Sequence, residues 1–225
     1  MLSKLPPTID PLKYTLGQVL LSSRKLRRTS LESNMKSGIT SSWYGESTKV
    51  RGQTGKMFIK VDMIQNLRHE VAAYHVARLS GLVDVVPCTV RFVDGLKEHW
   101  AGASEKPSRK MCVVQMYLRN YERTESETKA AREFRERCQL FDYLINNGDR
   151  HGGNVMALGE HYVAIDNAFA FSGEHGGGPA FSCLNLSLFR EEIERLRSSP
   201  ILDFLMPLLS EDSLKRFVKH LVSLE

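Results

Sequence analysis

Cysteine is sparse in this chain: Cys88, Cys112, Cys138 and Cys183 are the only four in 225 residues, and no two form a C-x-x-C pair. That spacing excludes a zinc knuckle or a dithiol redox motif. Three of the four sit in apolar stretches and read as small core residues, which suits a reducing compartment. Long apolar runs are absent, so no membrane-crossing helix, which needs about 20 such residues, is expected. The segment Met1-Leu2-Ser3-Lys4-Leu5-Pro6-Pro7 has no apolar stretch of Sec-signal type, and export by a route that needs none stays open. Charge of one sign is never concentrated: 31 basic and 26 acidic residues are interspersed, leaving a formal charge of +5. The clearest basic run, Arg24-Lys25-Leu26-Arg27-Arg28, is short. It reads as a solvated face or an attractor of small anions, and no nucleic-acid or membrane partner is expected. Internal repeats and low-complexity segments are missing too.

What is present is ordinary globular composition, 42% hydrophobic and 25% charged, with length enough for one large domain or two closely packed lobes. Residues 1–13 carry three prolines and read as a loose arm. From Leu26 to Asp62 short β-type runs alternate with turns at 33–38 and 51–55, giving strands over Trp43 to Val50 and Lys56 to Val61. The spacing of Leu67, Val71, Tyr74 and Ala77 predicts a helix over 66–80, capped by Asn66 and ended by Gly81. Val85 to Val93 is a predicted strand with Pro87 at an edge. A polar loop over 94–109 follows, then the apolar strand Met111 to Leu118. The second half is mainly helical. Ala130, Phe134, Cys138, Phe141 and Ile145 form one stripe of a helix over 126–146, and 188–197 and 211–224 are helical as well. Between them lie a strand over 161–165 and a glycine-rich loop over 172–179. The expected architecture is α+β, with a β-rich half over 14–118 carrying one main helix, an α-rich half over 119–225, and a ligand cleft between them.

Five polar residues stand out by type and position. Lys60 ends a strand, and Glu70 lies ten residues later on the next helix. Asp149 and Asn154 share a glycine-rich loop after a helix, and Asp166 closes a strand. Each has a plain alternative: a strand-end surface charge, a solvated helix residue, turn formers, a turn cap. Their order and elements match what phosphoryl transfer from ATP requires. A strand lysine held by a helix carboxylate reaches phosphate oxygens. Asn154 and Asp166 offer the hard oxygens that Mg²⁺ takes. Asp149 is the candidate to orient an acceptor hydroxyl and take its proton. The candidate phosphate loop is Ser37-Gly38-Ile39-Thr40-Ser41-Ser42, whose N–H groups and hydroxyls can cradle phosphates, with an ordinary hairpin turn as the alternative. Gln115, Met116, Tyr117 and Leu118 are candidates to meet adenine, or else plain core residues.

Asp149-Arg150-His151-Gly152-Gly153-Asn154, followed by Ala164-Ile165-Asp166-Asn167-Ala168, resembles the catalytic and metal-binding loops of the phosphoinositide-kinase-like and HipA-type atypical kinases. Glu70-Val71-Ala72-Ala73-Tyr74 with Val85-Val86-Pro87 resembles their glutamate helix and the strand after it. In size and order of segments the whole chain is most similar to the HopBF family of type III secreted bacterial effectors, which are minimal protein kinases. The resemblance implies a minimal bilobal kinase fold, ATP and Mg²⁺ as cofactors, and delivery into the host cell cytoplasm. It further implies serine phosphorylation of the host ninety-kilodalton heat-shock chaperone, with the effector posing as a folding client and acting as a monomer. It also makes His151 a secondary catalytic candidate, with a structural role as the alternative. The chain departs from ordinary protein kinases in having no G-x-G-x-x-G, Asp-Arg-His in place of His-Arg-Asp, and Asp166-Asn167-Ala168 in place of Asp-Phe-Gly. The loop after Asp166 holds Ser172 and Ser182 and no visible basic pocket, so constitutive activity is expected. That loop also lacks Lys and Arg, which argues against a lipid headgroup as acceptor. A lipid or small-molecule kinase, transfer of AMP, and a client-mimicking binding module without catalysis stay as alternatives.

Overall fold

The structure is a computed structural model that describes residues 26–28, 41–47, 56–96, 108–118, 120–123, 127–172 and 178–224. The expected arm over 1–13, the turns at 33–38 and 51–55, and most of the loops over 94–109 and 172–179 lie outside these residues. The described residues form a mixed α+β fold with two antiparallel sheets.

Strands β1 (Leu26–Arg28), β2 (Ser41–Ser47), β3 (Lys56–Val61), β4 (Cys88–Leu96) and β5 (Ser108–Met116) make a five-stranded sheet in the order β1-β2-β3-β5-β4. Strand β3 is central, paired with β2 on one edge and β5 on the other. Met57 and Ile59 are buried on one face, and the alternation sends Lys60 to the other. Strand β4 lies at the sheet edge, as Pro87 leads one to expect. The β4–β5 ladder continues to Leu96 and Ser108, so both arms of this hairpin extend into the stretch expected to be loop.

Helix α1 (Ile64–Ser80) follows β3 after two residues. Its cap differs from expectation. Asn66 is buried within the first turn, and its amide donates to Asp62 Oδ1 at 3.1 Å, while the same carboxylate oxygen accepts the Met63 N–H at 2.7 Å. Met63 is the N-cap and, among the described residues, no side chain caps the helix, so Asn66 does not have the capping role expected of it; its amide instead ties the first turn to Asp62. Gly81 ends the helix as expected, in the left-handed conformation (φ 74°) with its N–H on the Ala77 carbonyl. The helix also departs from a one-sided stripe: Ala72, Ala73, Val76, His69 and Glu70 are buried along with Leu67, Val71, Tyr74 and Ala77. The reason is that α1 touches β4 and β5 on one side and the later helices α3 (Arg190–Arg197) and α4 (Ile201–Leu205) on another. A helix covered on opposite sides carries little amphipathic signature.

A three-stranded sheet, β6 (Glu122–Arg123), β7 (Val155–Leu158) and β8 (His161–Ala164), follows with helix α2 (Lys129–Leu144) inserted after β6. Thr128 caps α2 by accepting the Ala131 N–H, and Phe134, Cys138, Phe141 and Ile145 of the predicted stripe are buried. Helix α5 (Glu211–Val222) is capped by Ser210 and closes the chain against α2. One continuous apolar cluster runs from Leu67 and Val113 through Phe141 and Phe171 to Phe217 and Leu224. A polar staple ties the small sheet to the end of α1: Tyr121 Oη meets His161 Nδ1 at 2.6 Å, and His161 Nε2 meets Asp84 at 2.6 Å. Among the described residues no helix is long and apolar enough to cross a membrane.

Candidate functional site

Lys60 is the junction of the site. Its Nζ lies 3.3 Å from Glu70 Oε1 and 2.6 Å from Asp166 Oδ1. Adjacency of β3 and α1 brings the first pair together, one turn and a half into the helix; β8 delivers Asp166 from more than a hundred residues away. Lys60 and Glu70 are buried, 6% and 1% exposed, whereas the Asp166 side chain is 46% exposed. Burial opposes the charge on Lys60, but two carboxylates outweigh it and hold the ammonium above the ordinary lysine range. Burial pushes the Glu70 carboxyl upward against the pull of Lys60, and the negative charge of Asp166 adds to the rise. Glu70 Oε2 accepts the Asn167 N–H at 3.0 Å, so one side chain fixes both the lysine and the backbone next to Asp166. Asp166 itself has φ 55°, a left-handed conformation that costs a non-glycine residue about 1 kcal/mol or more and persists only where neighbours impose it.

The loop after α2 is built on a buried ion pair absent from the sequence reading. Arg150 donates Nε and Nη2 to the two oxygens of Asp142, at 3.1 and 3.0 Å. Its Nη1 donates to the carbonyls of Asn154 (3.1 Å) and Ile165 (2.7 Å), and its Nη2 also to Asn167 Oδ1. One guanidinium thus joins α2, the 149–154 loop and the turn after β8, a task that suits its planar fork of donors. Burial disfavours the charge on both partners. The Asp142 carboxyl is pushed up despite Arg150, and Arg150 is held firmly protonated by Asp142. Asn147, also buried, donates to Asp142 Oδ1 at 3.1 Å and accepts the Asp149 N–H at 3.2 Å, which fixes the start of the loop.

Asn154 is buried, and its amide donates to the Asp149 carbonyl at 2.9 Å and to Asp149 Oδ2 at 3.4 Å. Its own carbonyl accepts the Ile165 N–H at 3.0 Å, at the end of the β7–β8 ladder where Val155 pairs with Ala164. Hydrogen bonding therefore joins Asp149 to Asn154 and Lys60 to Glu70 and Asp166, and the Asn154 carbonyl meets the N–H of Ile165, the residue before Asp166. His151 is exposed and turns back on its own loop, with Nδ1 accepting the Gly153 N–H at 3.0 Å. A Cβ on Gly153 would meet that ring at 2.8 Å, so glycine leaves the space the ring uses.

The nucleotide-contact candidates fare unevenly. Ser37, Gly38, Ile39 and Thr40 lie outside the described residues. Ser41 and Ser42 open β2, paired with Val61 and Lys60, so the chain enters the sheet directly beside the lysine. Gln115 and Met116 sit at the end of β5, three residues beyond the Lys60 partner Val113, with Tyr117 and Leu118 following; all four are partly exposed. The Met116 N–H is already taken by the Pro87 carbonyl at 3.1 Å, leaving that donor out of any adenine contact.

Mg²⁺ fits this donor set. Asp166 exposes carboxylate oxygen, and Asn154 and Asp149 add hard oxygen atoms. Lys60 faces two carboxylates, Glu70 and Asp166, a negative excess that a divalent cation at Asp166 would balance. No group of three or more His, Cys, Asp or Glu among the described residues is arranged to hold a metal by itself. The remaining ligands would be water and phosphate oxygens, the usual habit of Mg²⁺.

Asp142 is marked by no motif, and Asn147 and Asn167 lie within the loop motifs without a role that the sequence assigns. One signal was available for Asp142: it is a carboxylate inside the apolar run Leu140-Phe141-Asp142-Tyr143-Leu144-Ile145. The basic group missing near the loop after Asp166 also has a counterpart from a distant segment. Arg216 of α5 donates to the Phe171 carbonyl at 2.8 Å. No protein-family model matches the chain, and a search of curated proteins returns no match.

Proposed function

We propose that the chain is an ATP- and Mg²⁺-dependent protein serine kinase of minimal bilobal form. On this reading the five-stranded sheet with α1 is the first lobe and the helical half the second. The observation that carries it is Lys60 on β3, held at once by Glu70 of α1 and by Asp166 at the end of β8. A buried ion-paired lysine with one half-exposed carboxylate partner is costly to keep for stability alone. It is well suited to hand the ammonium to phosphate oxygens when a nucleotide arrives. Bound Mg²⁺ would supply charge neutralisation along the phosphates, with Asn154 and Asp166 as its protein ligands. Asp149 orients the acceptor hydroxyl and receives its proton as the oxygen bonds to the γ-phosphorus and ADP departs. Arg150 keeps Asp149, Asn154 and Asp166 in register. The acceptor proposed by family resemblance is a serine of the host ninety-kilodalton heat-shock chaperone, reached after type III delivery.

Purified protein incubated with Mg²⁺ and γ-labelled ATP, alone and with host lysate or the purified chaperone, tests the reading. Labelled serine that disappears with Asp166→Ala is the expected result. Label that appears only from α-labelled ATP replaces phosphoryl transfer with AMP transfer. A labelled lipid in place of a labelled protein moves the acceptor class. Unchanged turnover in Asp166→Ala removes the metal assignment.

A further inference from the structure

The turn that starts at Asp166 is fastened at its far end by the C-terminal helix. Asp166 and Phe171 both adopt left-handed conformations, φ 55° and 62°, which their side chains do not favour. The near end is held by Glu70 and Arg150 through Asn167. At the far end the Phe171 N–H donates to the Ile145 carbonyl at 2.6 Å. The Phe171 carbonyl accepts from Ser213 Oγ at 2.9 Å and Arg216 Nη2 at 2.8 Å, and Arg216 reaches the Ser172 carbonyl at 3.5 Å. The Phe171 ring is fully buried, 5.8 Å from His69 of α1 and 6.3 Å from Phe217 of α5. His69 Nδ1 in turn lies 3.1 Å from the Ala168 carbonyl, within the same turn. Ser213 is also buried, so its hydroxyl is committed to this contact rather than to solvent.

We infer that Ser213 and Arg216 are positioning residues for Asp166: α5 holds the 166–172 turn permanently in its metal-receiving shape, so the site orders without an added phosphate. The inference rests on the kinase reading for its consequence and on hydrogen bonding for its mechanism. Elsewhere an arginine that orders such a segment waits for a phosphoryl group. Here Arg216 Nη2 is committed to main-chain carbonyls that are always present and to Ser213 Oγ, while its Nε is buried without a partner among the described residues.

The test uses the full chain and the variants Arg216→Ala, Arg216→Lys and Ser213→Ala. Lys215→Ala serves as control, since Lys215 is exposed and among the described residues pairs with Glu211. Three readouts are needed: amide exchange across 167–172, binding of Mn²⁺ together with a non-hydrolysable ATP analogue, and phosphate transfer. Loss of the Arg216 contacts should raise exchange in the turn and the Mn²⁺ half-saturation by about tenfold each, the scale of one charged hydrogen bond. It should lower kcat more than it raises the acceptor KM. Arg216→Lys and Ser213→Ala should fall between, and Lys215→Ala should match wild type. Phosphatase treatment of the wild type should leave transfer unchanged. A folded Arg216→Ala with wild-type exchange or wild-type Mn²⁺ half-saturation overturns the inference, as does activity lost on phosphatase treatment. If Arg216→Ala does not fold, the two milder variants decide by the same criteria. A wild-type chain that binds Mn²⁺ and nucleotide but transfers nothing ends the kinase reading alone, and exchange and metal binding still decide the positioning role.

Discussion

Replacing Lys60 by methionine separates the structural from the chemical role of the site. The variant leaves Glu70 buried at 1% exposure with only the Asn167 N–H as a partner. Stranding one member of a buried pair typically costs about 3–5 kcal/mol. Protonation limits the damage: neutralising a carboxyl of ordinary pKa at pH 7 costs about 4 kcal/mol, and burial already pushes Glu70 upward, which lowers that figure. The expected loss is therefore about 3 kcal/mol at pH 7, or about 6–12 °C in Tm for a chain of this length. The pH dependence carries a sign. In the variant Lys60 no longer opposes the burial of Glu70 and the Asn167 N–H alone pulls the other way, so its folded pKa rises farther above the unfolded value. The folded state then binds a proton that the unfolded chain does not, and stability falls as pH rises through that window. The deficit relative to wild type should be largest near pH 7 and clearly smaller at pH 5. Lys60→Met with Glu70→Gln removes the stranded charge and should return to within about 1 kcal/mol of wild type. Phosphate transfer should stay lost in both. Urea denaturation at the two pH values and labelled-ATP transfer measure the two halves. An equal deficit at both pH values, or none, would refute the burial argument, and transfer restored in the double variant would refute the catalytic one.

Three further outcomes follow from the same structure. Asp142→Asn strands Arg150 beneath three segments and should cost about 3 kcal/mol by denaturant titration, with transfer lost even at temperatures where the fold persists. His75 is held neutral by burial, with its pKa lowered to about 4, its Nδ1 unpartnered and its ring stacked on Phe204 at 4.8 Å. The unfolded chain takes up a proton first, so stability is lost as pH falls from about 6.5 toward 4, by about 2 kcal/mol between pH 7 and 5. His75→Phe should flatten that limb, and an unchanged slope would assign the acid loss to other groups. Gly178→Ala would place a Cβ 2.5 Å from the Asp142 carbonyl, a backbone atom that cannot swing aside. About 1–3 kcal/mol of overpacking is expected, seen as a lower Tm, with neighbouring Pro179→Ala as the milder comparison.

Local signals in the chain reached far. The β-type run after the turn at 51–55 predicted β3, Gly81 ended α1 where a left-handed residue was needed, and four of the five residues of the predicted stripe are buried. Turn chemistry failed at one point: Asn66 looked like a cap because it is polar at a helix start, yet the cap position is Met63 and Asn66 lies within the first turn. The β7 strand over 155–158 and the short helix α4 passed unread, being too brief for a period to emerge.

The sequence by itself determined on which elements the candidate residues ride, because Lys60, Asp149, Asn154 and Asp166 stand beside a strand end or a glycine turn that local rules recognise, and Glu70 falls within a helix that apolar spacing predicts. Only tertiary structure decided what they do to one another. Lys60 serves two carboxylates, 10 and 106 residues away, and no pattern in the chain says that a lysine will be shared. Arg150 joins three segments, and Arg216 crosses from the last helix to the turn after Asp166. The physical reason is the same in each case. A short-range pattern is set by backbone geometry and repeats every 2 or about 3.6 residues, whereas a buried charge takes whatever partner the packed core brings within about 3 Å.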